Sequence, residues 1–350
     1  MVSNSHQSNN WVQKIISNYI FKIILSRLFI IWVVITLTFF IVHALPGNPI
    51  DILIQNMIDK LGMPEDEARR QVSTLFRIDL DAPLGVRYFQ YLANLLHGDM
   101  GDSYVVAPRA PVMNLVLANL PWTLFSVGLS LLISFILGTF LGMLAAYQRN
   151  TWIDHLITNF GAAMDSIPNT LIAVILILIL VTVWGGSLLG QIRGATSPGI
   201  QPEFSLVFVL DVFKHYIAPG SVYILTAVGG WMLAMRSNTL STLGGDYVTV
   251  ARARGLPDIR ILTAYVGRNA SLPLVTSLGI SLGFVVSGSV LIETIFVYRG
   301  VGGLLWNAIT FRDYPLIQGI LLLTTIAVII STTLVDLGYG WLDPRVRIDV

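Results

Sequence analysis

Apolar residues fall into six long runs, separated by short polar segments and one long one. The runs are roughly Ile23–Leu45, Trp122–Ala146, Ala162–Trp184, Tyr216–Met235, Ala270–Glu293 and Pro315–Tyr339. Each is close to the ~20 apolar residues that carry a helix across a bilayer. The expected fold is therefore all-α and polytopic, with six transmembrane helices and an external helical insertion between spans 1 and 2. The third run is the most uniform, with no charge from Leu171 to Trp184. Pro219, Gly220, Gly229 and Gly230 interrupt the fourth, as membrane helices tolerate better than soluble ones. Ahead of the first run, Val12, Ile15, Ile16, Tyr19, Ile20 and Ile23 recur at helical spacing, with Lys14 and Lys22 between them. Two readings fit: a short helix on the membrane surface, or an extension of the first span. The first run exceeds the roughly 7–15 apolar residues of a signal peptide and no Ala-x-Ala site follows it, so it is expected to be retained.

Composition agrees with this pattern. Hydrophobic residues make up 54% of the chain and charged ones 12%, with mean hydropathy +0.73. Soluble domains carry about 25% charged residues. An ordinary soluble enzyme, a disordered chain and a fibrous one are thereby excluded. The net charge of +1 supplies no field for nucleic acid, and the lack of cysteine removes disulfides, thiolate metal sites and a cysteine nucleophile.

The distribution of basic residues orients the spans. Lys14, Lys22, Arg27, Arg149, Arg236, Arg252, Arg254, Arg260, Arg268, Arg345 and Arg347 share one side. The short loops of the other side hold only Arg193, Lys214, Arg299 and Arg312. Basic residues in short loops mark the cytoplasmic face. The layout is then an N-terminal cytoplasmic or interfacial segment 1–22, span 1 over 23–45 and an external insertion 46–121. A five-span core 122–339 follows, with a cytoplasmic loop 236–269, and then a cytoplasmic tail 340–350. Both termini are expected inside a cytoplasmic (plasma or inner) membrane.

The external insertion has a pattern of its own. Met63-Pro64-Glu65-Asp66-Glu67-Ala68-Arg69-Arg70 reads as a helix start, with acids ahead of arginines as the helix dipole favours. Val86, Phe89, Tyr91, Leu92, Leu95 and Leu96 suggest a second, amphipathic helix ending near His97-Gly98. The segment is a spacer, a partner-docking element or a gate over the outer mouth.

The loop 236–269 carries five arginines and two aspartates. Asp246 is expected to cap a helix running from Tyr247 to Arg254, which Gly255 stops and Pro257 ends. Tyr247, Val250, Ala251 and Arg254 share a face by their spacing. So short a helix is not stable alone in water and needs a surface. That surface is the membrane, or a cytoplasmic partner.

Little else carries chemistry. There is no zinc-binding His pattern and no Gly-Lys pair for a phosphate loop, so neither a metal site nor a catalytic residue is assigned. Gly279-Ile280-Ser281-Leu282-Gly283 matches a nucleophile-elbow spacing, but it sits inside an apolar span where no strand-to-helix turn is expected. Gly279 and Gly283, like Gly138 and Gly142, instead offer small faces for close helix contact. Asp165, Glu293 and Asp336 lie near span ends, leaving no midplane acid of the kind ion-coupled pumps use.

Asp246-Tyr247-Val248-x-x-Ala251-Arg252-Ala253-Arg254-Gly255, with Leu272-Pro273 beyond it, resembles the cytoplasmic coupling loop of ABC-importer permeases of the dipeptide/oligopeptide (peptide/nickel) type. Leu45-Pro46-Gly47-Asn48-Pro49, Gly98-Asp99-Met100-Gly101-Asp102-Ser103, Ser166-Ile167-Pro168, Arg312-Asp313-Tyr314-Pro315 and Leu342-Asp343-Pro344-Arg345 are similar to further motifs of that family, in order. Asn48 stands where the family usually has an acid, and Arg254 where Lys is common. The resemblance implies a transport subunit rather than an enzyme, with no cofactor in this chain. It implies four kinds of partner: a second homologous permease, two ABC ATPase subunits that bind ATP and Mg, an extracytoplasmic solute-binding protein, and membrane lipid. Asp246, Tyr247, Val250, Ala251, Arg252, Ala253, Arg254 and Gly255 would form the ATPase-coupling element. Tyr247, Ala251 and Gly255 would sit in the ATPase groove; Arg252 and Arg254 would meet acidic rims or lipid phosphates. Di- and oligopeptides are the implied cargo, with oligosaccharides or nickel as alternatives. A self-contained secondary transporter and an intramembrane enzyme are the rival classes.

Overall fold

The computed structural model describes residues 5–44, 49–76, 82–185, 190–200, 202–203 and 205–342. Of the resemblance motifs, Leu45-Pro46-Gly47-Asn48 and Asp343-Pro344-Arg345 lie outside the described residues. Among the described residues helix is the only extended secondary structure, with one isolated bridge between Asp102 and Pro111. It is an all-α polytopic membrane protein, as the apolar runs predict.

The count of six straight spans does not carry over. Among the described residues four single helices are long and apolar enough to cross a bilayer, Phe21–Ala44, Val112–Tyr147, Leu206–Leu243 and Tyr314–Asp336, and a bent pair counted as one span makes five. The expected span Ala162–Trp184 is instead two helices, Trp152–Ser166 and Asn169–Trp184, meeting at a 100° bend. Ile167 and Pro168 are extended at the bend, because a residue before proline is pushed out of the helical region. The expected span Ala270–Glu293 ends early: its helix runs Arg268–Val285, and Gly288, at φ +66°, turns the chain into a short helix, Val290–Ile295. At the N-terminus one helix runs Ser5–Ala44, with no break between the amphipathic stretch and the first apolar run.

The chain divides into two compact units. The first comprises residues 1–113 and 308–329. In it, helices Pro49–Leu61 and Glu65–Phe76 close on each other through Ile50, Ile54, Ala68 and Val72. Helix Leu84–Leu96 starts after Pro83 and ends at Gly98, which is left-handed at φ +78°. Its Tyr88 packs against Phe39 and Phe40, and its hydroxyl bonds Thr36 at 2.7 Å. The Ser103–Val106 loop wraps the fully buried Asp313. The Ser103 hydroxyl donates to its carboxylate at 2.5 Å, and the backbone N–H groups of Tyr104, Val105 and Val106 donate at 3.0–3.1 Å. Two of the resemblance motifs, more than 200 residues apart in sequence, thus meet around one carboxylate.

The second unit comprises residues 114–307 and 330–350. Its centre is the long Leu206–Leu243 helix, packed by the helices Leu129–Tyr147, Trp152–Ser166 and Arg268–Val285. Glycine sets these approaches. A side chain at Gly138 would meet Trp231 and the Val228 carbonyl, and one at Gly142 would meet Met232 and Met235. Gly229 lies against the Gly161 backbone in the same way, a pair that the spacing search does not reveal because the two glycines are on different helices. Gly279 faces Val335, its carbonyl accepts a bond from the Ser331 hydroxyl at 2.7 Å, and Gly283 is buried.

Candidate coupling site

The segment after the central helix is built from local rules. The Leu206–Leu243 helix stops at Gly244-Gly245, whose N–H groups bond back to Ser241 and Thr242. Gly245, not Asp246, is the N-cap of the next helix, Asp246–Ala253. Asp246 takes the first helical position, where its charge favours the positive end of the dipole; the Tyr247 ring lies over Gly245, where a Cβ would come within 2.8 Å.

The C-terminal end is a complete Schellman closure. Gly255 is left-handed at φ +72°, its N–H bonds the Arg252 carbonyl at 2.9 Å, and the Leu256 N–H bonds the Ala251 carbonyl at 3.4 Å. Leu256 also packs on the cluster that holds Ala251, the apolar contact that accompanies this motif. Nothing lies within 4 Å of a side chain built at Gly255. Substituting it would therefore cost only the left-handed backbone penalty, about 1 kcal/mol.

The buried face differs from the expected one. Val248 and Ala251 are the inward residues, packed on Ile261 and Val266, with Leu243, Leu256 and Tyr265 around them. Ala251 is 2% exposed, so it anchors the helix to its own chain and is not available to a partner. The expected face Tyr247, Val250, Ala251 and Arg254 is thus split. Tyr247 and Val250 point outward at 40% and 50% exposure, joined by Ile259 at 65%. Arg252, Ala253, Arg254 and Gly255 are also exposed. Among the described residues, Arg252, Arg254, Arg260 and Arg268 form no ion pair.

The loop is fixed to the long helices at both ends. The Asn269 amide donates to the Tyr247 hydroxyl at 3.3 Å and to the Tyr265 carbonyl at 2.9 Å. The Asn238 amide donates to the Ala270 carbonyl at 3.2 Å. Near the foot of the central helix, Arg236 grips Asp154 with two bonds, Nε to Oδ1 at 2.6 Å and an Nη to Oδ2 at 2.9 Å. Asp154 is 1% exposed, and it also accepts from the Asn150 N–H and the Thr158 hydroxyl. Sequence reading counts Arg236 only as a loop cation and passes over Asp154. The available signal was an acid in the first turn of a mostly apolar helix, on the side where arginines collect.

The site thus presents a small helix, closed at its C-terminal end, with Tyr247 and Val250 outward and with arginines nearby in sequence that form no ion pair among the described residues. The profile of the family described as "Binding-protein-dependent transport system inner membrane component" matches residues 138–348, which contain this loop. The chain belongs to that family. The dipeptide transport system permease protein DppB of Escherichia coli K12 is 31% identical over 327 residues, covering 89% of this chain and 93% of DppB. The oligopeptide transport system permease protein AppB of Bacillus subtilis is 30% identical over 329 residues, covering 94% and 99%. The glutathione transport system permease protein GsiC of Salmonella typhimurium is 32% identical over 333 residues, again covering 94% and 99%. The resemblance read from the loop motifs is borne out along nearly the whole chain.

In this inner membrane transport component, two further sequence flags resolve. Ser281 donates to the Ser277 carbonyl at 2.8 Å inside the Arg268–Val285 helix, so the nucleophile-elbow spacing there is ordinary helix. Glu293, placed near a span end by the sequence, is fully buried. Its carboxylate accepts from the Thr123 hydroxyl at 3.1 Å and the Gly303 N–H at 2.8 Å, and Gly288, Gly300 and Gly302 crowd it. It locks the loop that follows the early-ended helix.

Proposed function

We propose that this chain is the transmembrane permease subunit of an ATP-driven importer of di- or oligopeptides. In this reading it forms half of the translocation pathway beside a second homologous permease. Two ABC ATPase subunits supply ATP and Mg chemistry, and an extracytoplasmic solute-binding protein delivers the cargo. The observation that carries it is the Asp246–Ala253 helix: closed at its C-terminal end by the Gly255 turn, anchored inward by Val248 and Ala251, and apolar outward at Tyr247 and Val250. A helix that only filled a loop would not leave that face open.

The geometry suggests how force passes. The helix packs on Ile261 and Val266 at the foot of the Arg268–Val285 helix, and on Leu243 at the end of the central helix. A displacement of a docked ATPase would move both long helices together, because the small apolar cluster has no slack to absorb it. The unpaired arginines would meet acidic groups around the ATPase groove.

Val250→Asp tests this docking. The residue is half exposed, so the loop keeps its fold. Co-purification of ATPase subunits with a tagged permease is expected to fall at least about tenfold, since a carboxylate buried without a partner costs several kcal/mol. Full ATPase recovery with this variant would refute docking through this face. The proposed sidedness has its own check, aided by the lack of cysteine. Gln71→Cys and Thr249→Cys both place a thiol at an exposed position. An impermeant maleimide on sealed cells is expected to label the first and not the second.

A further inference from the structure

The unit formed by residues 1–113 and 308–329 encloses a cavity of about 440 Å³, within the range of small-ligand sites. Phe39, Tyr91 and Tyr104 give it aromatic walls. Several polar side chains line it with no hydrogen-bond or ion-pair partner among the described residues, Arg87, Asp102 and Gln318 among them. Arg87 and Asp102 are both half-buried. Gln318 is 5% exposed, and its Nε2 donates to nothing. A buried amide donor without an acceptor is costly, and native proteins seldom keep one without a purpose. Burial holds the Tyr104 phenol above its ordinary range, with the Arg87 charge opposing and the Asp313 and Asp102 charges adding to the shift. The Arg87 and Asp102 charges are therefore within electrostatic reach of one ring, and Tyr104 stays a neutral donor.

We propose that this cavity binds a free dipeptide as a zwitterion. The Arg87 guanidinium and the Gln318 amide take the carboxylate, Asp102 takes the α-ammonium, and the aromatic walls take a side chain. One guanidinium, the Asp102 carboxylate and one spare donor within a single cavity match both ends of that ligand; Asp99, the second carboxylate of the lining, is exposed and accepts from the Gly101 N–H at 2.8 Å. The inference rests on the peptide-importer reading and adds a substrate-holding site in a part of the chain separate from the coupling loop.

Asn94 lines the same cavity and is exposed, so Asn94→Cys gives the chain a single reporter thiol. In the assembled importer, saturating Ala-Phe is expected to slow modification of that thiol by a small methanethiosulfonate about tenfold. N-acetyl-Ala-Phe-amide, which lacks both charges, is expected to give no protection. Adding Arg87→Gln or Asp102→Asn should raise the half-protecting concentration by about tenfold or more, as expected for loss of a charge-assisted bond. Equal protection by the blocked peptide, or unchanged protection in both variants, would overturn the assignment. So would a lack of protection by Ala-Phe while the reconstituted importer still takes it up, which leaves the importer reading standing. Protection with the expected charge dependence, but no uptake of peptide, would support the cavity and refute the importer reading.

Discussion

Ala251→Glu is expected to leave the chain inserted in the membrane but stripped of its ATPase partners. Ala251 is 2% exposed, in contact with the Val248, Ile261 and Val266 cluster. A carboxylate there would be set among Val248, Ile261 and Val266, and burying it costs several kcal/mol. The Asp246–Ala253 helix has only eight residues and cannot persist once its packing is lost. The spans lie elsewhere, so insertion is unaffected. The effect differs in kind from that of Val250→Asp, which changes the contact surface and spares the support. Limited proteolysis separates them: cleavage between Asp246 and Arg260 should rise sharply in Ala251→Glu and stay at the wild-type level in Val250→Asp. A protease-resistant Ala251→Glu loop with full ATPase stoichiometry would contradict the packing assigned here.

Asp313→Ala carries the second large effect, in the other unit. The variant removes the acceptor for the buried Ser103 hydroxyl and for three part-buried backbone N–H groups. An unsatisfied buried donor costs about 1–3 kcal/mol, so the total is several kcal/mol. The Gly101–Val112 loop should loosen first, since its left-handed Arg109 donates its N–H to the Ser103 carbonyl and Ser103 is held by that carboxylate. Hydrogen exchange at Tyr104, Val105 and Val106 is expected to accelerate by two orders of magnitude or more, roughly the equivalent of 3 kcal/mol. Ser103→Ala should give a smaller acceleration, because the three backbone donors keep their partner. Unchanged exchange in Asp313→Ala would show that the loop is held by something else.

The sequence revealed what depends on local rules and missed what depends on distant contacts. Gly255 followed by Pro257 announces the end of the coupling helix, and the Schellman closure there needs nothing beyond its own neighbours. Pro168 likewise marks the break in the third apolar run. Apolar length alone could not show that the chain there bends by 100°, or that the fifth run ends at Val285, because hydropathy counts side chains and not backbone turns. The inward face of the coupling helix was illegible for a different reason. Val248, Val250 and Ala251 occupy overlapping arcs of two turns, and only the position of Ile261 and Val266 decides which arc is covered. Asp313 and Ser103, and Asp154 and Arg236, are paired across long sequence separations, and nothing in the local pattern of either member names its partner.

The central claim is that the outward face of the Asp246–Ala253 helix is the surface that ATPase subunits hold. In the cysteine-free chain it reduces to a comparison of adjacent residues. Single cysteines at Val250 and at Ala251 would be treated with a short bifunctional maleimide in the assembled importer, with ATPase subunits carrying one cysteine at the docking groove. The account predicts an efficient permease–ATPase cross-link from Val250→Cys and almost none from Ala251→Cys. Cross-linking from Ala251→Cys equal to or greater than that from Val250→Cys would contradict it.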